Sequence, residues 1–503
     1  TFALAIVVAS VLGRGMSPTG RRATMAVSVM LAIGFWTLVR TDGVTGDGNS
    51  QFHWRWTPTA EERLLAQTRN EPQRPVPAAT ASPEAPAAAP AATAAGSGPE
   101  KTAPAAVAVE AIAAAPMRVD WPGFRGPDRD SRVRGVKLAT DWTASAPVAI
   151  WRRPIGPGWS SFAVGGGLLF TQEQLGDQEV VTAYRAATGE PVWRHRDAAR
   201  FYESNGGPGP RGTPTLHEGR LYTLGATSIL NALDAATGRV IWTRNPAKDH
   251  DVATPGWGFT SSPLVAGDLV IVAASGRLAA YDRATGAPRW TGPAKGGSYS
   301  SPQMATIDGV PQVLLSTGTG VISLSPADGS LLWEHAWGDG GAIVQPAVTA
   351  DGDVLITTIT STGGEGIRRV AVTRDSNGWT ARERWTSRGL KPYFNDYVVH
   401  EGHAYGFDGS ILSCIDLNDG ARKWKGGRYG NGQMILLPEQ DLILVMSEDG
   451  DLVLLAAAAD TLTEIAKAPA LNAKTWNHPV LVGDMLYTRN GEEMAAFRLP
   501  VAR

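Results

Sequence analysis

Between residues 120 and 500, apolar and polar positions alternate in short runs that break at Gly, Asp or Asn. Residues 212–242 show the pattern. PTLHE, RLYTLG, ILNALD and RVIW each read as one strand, and Gly219, ATS and AATG read as the turns between them. The same grammar fits 261–290 and 396–424. Apolar or alternating runs of four to six residues, bounded by turn formers, predict antiparallel strands joined by tight hairpins.

A longer period lies over this one. LDAATGRVIWTRN at 233–245 recurs as YRAATGEPVWRHR at 184–196, YDRATGAPRWTGP at 281–293, LSPADGSLLWEHA at 324–336 and IDLNDGARKWKGG at 415–427. Trp193, Trp242, Trp290, Trp333 and Trp424 each follow a glycine by four residues. Trp151 opens the series, and Trp385 joins it after the longer turn DSNGWTARERW. Subtraction gives steps of 42, 49, 48, 43, 52 and 39 residues; one more, of 41, reaches Ile465, with Thr461 at the glycine place. Periods of about 40–50 residues holding four strands are those of propeller blades.

The fold expected is therefore all-β: an eight-bladed β-propeller with four antiparallel strands per blade. The repeated glycine supplies a positive φ in the turn before the outermost strand. The tryptophan supplies an indole to wedge between neighbouring blades, each burial worth about 2–3 kcal/mol. The last unit, 477–500, holds only three strands. PVAIWRR at 147–153 is expected to complete it, so that the ring closes by sharing a blade between its two ends.

Ahead of the repeats the texture differs. Residues 23–39 run for 17 positions without a charge, roughly 25 Å as a helix. Arg14, Arg21 and Arg22 precede this run and Arg40 follows it, so the positive-inside bias leaves everything beyond Arg40 outside the cytoplasm. A membrane anchor is expected over 1–40, with one complete transmembrane helix at 23–39 and the tail of another at 1–12. A cleaved signal peptide is the alternative, but no small-x-small site follows Val39. The juxtamembrane segment 41–70 carries Phe52, Trp54 and Trp56, then a short helix with Thr59 as N-cap and Glu62 three residues on. Its aromatics suit either the headgroup level of a membrane or packing on the soluble domain. The Ala/Pro-rich stretch 71–118 lacks the bulky apolar groups that offset ordering entropy and is expected to be a disordered linker. The propeller then occupies 119–503. This organisation puts the chain at the inner (cytoplasmic) membrane, with the propeller on the periplasmic or extracellular side.

Charge and cysteine add exclusions. A net charge of −2, from 46 basic and 48 acidic residues, gives no footprint for a nucleic-acid partner. Cys414 is the single cysteine, so no intrachain disulfide forms.

The D/N-x-x-TG-x-x-x-W phrase, recurring with variations in an eight-blade array, resembles the pyrroloquinoline-quinone (PQQ) type β-propellers. That family includes the quinoprotein alcohol dehydrogenases and the outer-membrane protein assembly factor of Gram-negative bacteria. WPGFRGPDRD at 121–130 is similar to the opening of membrane-anchored members of the family. The resemblance covers about 120–500. It implies the fold; since the fold hosts both enzymes and scaffolds, it implies two activities.

The first is a membrane-anchored binding or scaffold module for a protein, peptide or glycan. The segments leading into the blades place Trp159, Trp257, Tyr299, Tyr393, Phe394 and Trp476 around one funnel mouth, with Glu203, Asn205, Arg211, Gln345, Asn395, Asp396, Asn431, Gln433 and Asn477 close by. Flat aromatics among amides and carboxylates suit a planar cofactor, a sugar or an extended peptide. The plainer reading is that these side chains satisfy inner-strand backbone groups.

The second activity is a PQQ-dependent dehydrogenase oxidising an alcohol or sugar. In the family, PQQ sits over a calcium held by carboxylate and amide oxygens, with an Asp as general base. Asp396, beside Asn395, is the candidate base here, and Glu203 with Asn205 the spare oxygen pair. The adjacent cysteines of many members have no counterpart.

Other patterns carry less. His400-Glu401-Gly402-His403 has i, i+3 histidines on a strand turn, not the helical i, i+4 of a zinc motif. SEDGD at 447–451 is too short for a calcium loop. Gly318 and Gly320 precede no helix that would cradle phosphate.

Overall fold

The computed structural model describes residues 6–7, 10–11, 14–46, 48–68, 117–338, 340–360 and 363–502. The expected second membrane segment at 1–12 and the linker at 71–118 lie largely outside them.

Residues 215–469 form six antiparallel meanders of four strands each, in chain order. The one over 215–244 is representative. Thr215–His217, Arg220–Leu224 and Leu230–Asp234 are almost wholly buried, whereas Val240–Arg244 buries only Trp242 fully. Before these six comes a sheet of five strands: Val119–Trp121, Ala163–Gly165, Leu168–Leu175, Gln178–Arg185 and Pro191–Asp197. After them, Val480–Val482, Met485–Arg489 and Glu493–Arg498 are completed by Val148–Pro154 from the other end of the chain. Ala496 faces Trp151 and Arg498 faces Val148 in that ladder. Innermost strands of successive sheets lie side by side, Thr215–His217 touching both Ala163–Gly165 and Leu264–Ala266. The architecture is that of a β-propeller.

The repeated phrase shows its chemistry at each junction. The Trp193 indole N–H donates to the Ala235 carbonyl (3.1 Å), Trp242 to Arg283 (3.1 Å), Trp290 to Pro326 (3.0 Å) and Trp385 to Leu417 (2.9 Å). Trp151 donates to Ala186 (2.9 Å) across the closure. In every case the acceptor lies three residues before the next sheet's glycine. That glycine has φ near +70° and lies under the indole: a Cβ on Gly238 or Gly286 would come within 2.4 or 2.7 Å of the Trp193 or Trp242 ring. The glycine thus serves both its own turn and the neighbour's indole. Trp424 keeps the rule on Ala458 (2.9 Å), three residues before Thr461. Trp333 breaks it and donates to Gln312 of its own sheet (2.7 Å). In the following sheet, Gly363–Asp375 and Gly378–Ser387 pair out to a two-residue turn, so no TG turn stands at the height where the indole would dock.

The N-terminal segment corrects one expectation. α1 (Pro18–Leu38) covers the apolar run, but no helix among the described residues is long and apolar enough to cross a membrane. Arg21 and Arg22 lie inside α1, and the chain leaves the helix at Val39 to become a strand. The uncharged helical part, 23–38, rises only about 24 Å against a hydrocarbon core of about 30 Å. Strands β1 (Val39–Val44) and β2 (Ser50–Trp54) form a hairpin. Phe35 and Trp36 of α1 meet Trp54 and Phe52 edge to face, and Trp54 stacks on Trp56 with centroids 5.0 Å apart. α2 (Ala60–Thr68) opens with reciprocal bonds: Glu62 N donates to Thr59 Oγ1 (3.0 Å) and Thr59 N to Glu62 Oε2 (2.7 Å). Leu64 of α2 is buried on Leu175 and Val180, and Glu61 pairs with Arg200 at 2.8 Å.

Candidate functional site

The lead-in WPGFRGPDRD does not stay outside the ring. The Pro122 carbonyl accepts from Leu216 N (2.7 Å), the Asp128 carbonyl from Gln303 Nε2 (3.1 Å), and the Ser131 carbonyl from Leu436 N (2.8 Å). Three sheets far apart in sequence therefore hold one segment across the axis. Arg125, Arg129 and Ser131 adopt left-handed φ of 63°, 54° and 61°, backbone strain that only a tightly surrounding structure retains. Arg129 is buried and spans to the Pro263 and Ser262 carbonyls at 2.8 and 3.0 Å. Burial, with the nearby Arg125 charge, pushes its guanidinium down to about 9.

Arg125 sits at the centre. Its Nη2 donates to the Tyr397 carbonyl (2.9 Å), its Nε to Ser131 Oγ (2.8 Å), and its Nη1 lies 3.5 Å from the Asp396 carboxylate. Ser131 Oγ in turn meets His478 Nε2 at 2.8 Å, while His478 Nδ1 is 2.7 Å from the Pro479 carbonyl. A carbonyl only accepts, so Nδ1 carries the proton and Nε2 accepts from Ser131. Burial, helped by the Arg125 charge, pushes the imidazole down to about 3, so it is neutral near pH 7. Burial raises the Asp396 carboxyl, and Arg125 opposes the rise.

Above this floor opens a cavity of ≈ 710 Å³. Phe124, Asp396 and His478 reach its lining from below. Six rings run along its wall. Trp159 lies 4.8 Å from Trp476, which lies 4.7 Å from Phe394; Phe394 lies 5.4 Å from Tyr393; Tyr393 lies 6.0 Å from Trp257, and Trp257 lies 4.9 Å from Tyr299. Such tilted and edge-on spacings are those of favourable aromatic pairs. Glu203, Asn205, Arg211 and Gln433 also line the cavity.

Other candidates sit in the walls. Gln345 reaches from one sheet to the Pro302 carbonyl of its neighbour (3.1 Å), and Asn477 reaches to Ser160 (2.8 Å). Asn395 Oδ1 accepts from Tyr393 N (3.1 Å), shaping the loop that carries two of the rings. Asn431 is buried, its N–H bound to Glu448 Oε2 (2.9 Å).

A calcium-borne quinone would need several carboxylate and amide oxygens free to converge. Glu203 already accepts from Asn205 N, Gly206 N and Arg211 Nη2, closing the 203–211 loop on itself. Arg211 is pinned further by the Gly207 and Gly209 carbonyls. Asp396 faces Arg125. The donor set therefore does not fit a hard cation.

The rim holds a peptide instead. Val44 N, at the end of β1, donates to the Asn205 carbonyl (3.1 Å) and the Val44 carbonyl accepts from Lys474 Nζ (2.9 Å). Gly46 N donates to Glu448 Oε1 at 2.6 Å, and Trp476 Nε1 donates to the same oxygen at 2.8 Å. The Lys474 ammonium also stands over the Trp476 ring at 4.2 Å. Glu448 belongs to SEDGD, and His478 follows the candidates Trp476 and Asn477; neither residue is itself singled out by the sequence. A second cavity, also ≈ 710 Å³, lies beyond the lead-in among the turns at 349–351 and 401–402. Beside it His400 Nε2 is 2.7 Å from Asp441 Oδ1, while His403 bonds the Glu401 carbonyl.

The family model for outer membrane protein assembly factor BamB matches residues 130–314, 176–426 and 317–499. Outer membrane protein assembly factor BamB of Shewanella oneidensis is 30% identical over 155 residues, 29% of this chain and 36% of that protein. The dehydrogenase subunit of a quinone-type alcohol dehydrogenase from Gluconobacter oxydans is 26% identical over 201 residues, 36% of this chain and 25% of that protein. The match thus spans only about a third and a quarter of these relatives' own lengths. Among solved structures, the quinohemoprotein alcohol dehydrogenase of Comamonas testosteroni aligns with a TM-score of 0.50 at 15% identity, over 76% of this chain and 81% of that one. At that identity the likeness is one of fold.

Proposed function

The chain belongs to the outer membrane protein assembly factor BamB family of PQQ-like propellers, and from that premise we propose that it is an eight-bladed, membrane-associated binding module for polypeptide segments of envelope proteins. One observation carries the reading. The cavity mouth presents six linked aromatic rings, and the polar groups at its rim are engaged by peptide backbone, not gathered around a small charged centre. Aromatic walls give large contact area at little conformational cost, and fixed rim acceptors and donors recognise main chain whatever its side chains.

Placement outside the cytoplasmic membrane is part of the proposal. Arg14, Arg21 and Arg22 before the apolar residues of α1 support it, as do the exposed rings of Phe52, Trp54 and Trp56. The relatives named as outer membrane protein assembly factors support an envelope partner.

The test is binding of an unfolded β-barrel outer-membrane protein, diluted from urea, to the full chain. Saturable binding that Trp257→Ala weakens at least tenfold supports the proposal. Absent binding, or binding indifferent to Trp257 and Tyr299, overturns it.

A further inference from the structure

We propose that the cavity mouth is a receptor for a glycine-containing β-hairpin tip, that Gly43 to Gly46 and Gly48 of this chain are its resident occupants, and that a partner's hairpin tip binds by displacing them. The inference rests on the binding reading above and names the class of peptide that reading leaves open.

Among the described residues, three hydrogen bonds seat the tip by its backbone: Val44 N to Asn205 O, Lys474 Nζ to Val44 O, and Gly46 N to Glu448 Oε1. The turn is closed by its own bonds, Thr45 N to the Asn49 carbonyl and Gly48 N to the Thr45 carbonyl, both 2.8 Å. What the receptor selects is therefore shape. A Cβ at Gly46 would lie 1.7 Å from Asn431 Nδ2, and one at Gly43, already at φ +101°, would lie 2.6 Å from the Asn205 carbonyl oxygen. Neither distance is one an L side chain tolerates, so the seat accepts only bare backbone at two positions.

The receptor side is pre-organised. Trp476 Nε1 and Asn431 N hold the two oxygens of Glu448, and Lys474 is steadied over two indoles. Fixed groups of this kind spend little entropy on capture. Occupation by a segment of the same chain acts at high effective concentration, so a foreign tip competes against it and its apparent affinity falls by the fraction of open mouths. The tip also lines the cavity beneath it through Val44, Thr45, Gly46 and Gly48, so displacing it uncovers the aromatic wall.

The test uses full-length protein and a labelled synthetic peptide of residues 39–54. Gly46→Val expels the resident tip without altering the receptor. The peptide is expected to bind Gly46→Val at least tenfold more tightly than wild type, and Glu448→Ala added to Gly46→Val should remove that gain. In wild type, hydrogen exchange at the Gly46 amide should be slow, and in Glu448→Gln at least tenfold faster. Equal peptide affinity for wild type and Gly46→Val, or unprotected exchange at Gly46 in wild type, overturns the inference. Peptide capture by Gly46→Val with no binding of an unfolded barrel protein would leave the receptor standing and remove the envelope-partner reading. The converse result would do the opposite.

Discussion

If each indole is docked on the next sheet's glycine, Trp242 and Gly286 are energetically one unit, and a double-mutant cycle must show it. Trp242 is buried, and its N–H is bonded to Arg283. Burying about 200 Å² of indole at about 25 cal/mol per Å² gives a ceiling near 5 kcal/mol, and Trp→Ala in cores costs about 3–5 kcal/mol. Gly286→Ala carries two costs. The φ of +73° imposes about 1–2 kcal/mol on an L residue. The new methyl, 2.7 Å from Trp242 Cδ2, adds about 1–3 kcal/mol of overpacking. With Ala at 242 the second cost vanishes and the first remains. The double variant is therefore expected to be more stable than the sum of the single changes predicts by about 1–3 kcal/mol. Hydrogen exchange in a urea series, read on peptides spanning 230–244 and 278–291, reports the opening of this junction and not of the whole ring. Additivity within about 0.5 kcal/mol is the behaviour of independent sites and would refute indole docking at this junction.

Glu179 is buried against the Ala226 amide, and burial pushes its carboxyl from 4.5 up to about 7. A raised carboxylate is a cost of the folded state that appears as pH rises through 4.5 and is complete above 7. Glu179→Gln should thus stabilise at pH 8 by up to about 3 kcal/mol and be neutral at pH 4, measured as urea midpoints; a gain independent of pH contradicts it. PQQ with calcium, titrated into the full chain, should give no saturable absorbance change, because Glu203 and Asp396 are already engaged; saturable binding would show that the cavity's oxygens can be freed.

The parts legible in the sequence are those that local pattern encodes. The Gly-to-Trp phrase encodes a turn, a buried ring and its landing place within a few residues, so most junctions follow from it directly. The closing strand Val148–Pro154 follows from counting strands, and α2 from its Thr59–Glu62 cap. Trp333 deviates because a neighbour's longer hairpin, not its own phrase, sets its partner. WPGFRGPDRD stands out in the sequence, but its course across the ring does not, because left-handed arginines in an irregular segment have no periodicity and Arg125 finds its partner Tyr397 272 residues away. The pairing of Gly46 with Glu448, 402 residues apart, is of the same kind. Residues 23–39 read as a membrane span because an apolar run does not reveal that the helix starts among arginines and ends at Leu38. The six rings of the mouth could be gathered from sequence because each lies in a segment leading into a blade; Gln345 and Asn477 lie in such segments too, yet turn into the walls.

If the aromatic mouth is what receives polypeptide, no other surface of the ring should do so. A photo-crosslinking residue placed at Tyr299, on the mouth, or at Asn418, on the cavity beyond the lead-in, compares the two faces directly in the presence of an unfolded barrel protein. Adducts from position 299 and none from 418 are predicted. Equal labelling from both positions, or labelling from 418 alone, would contradict it.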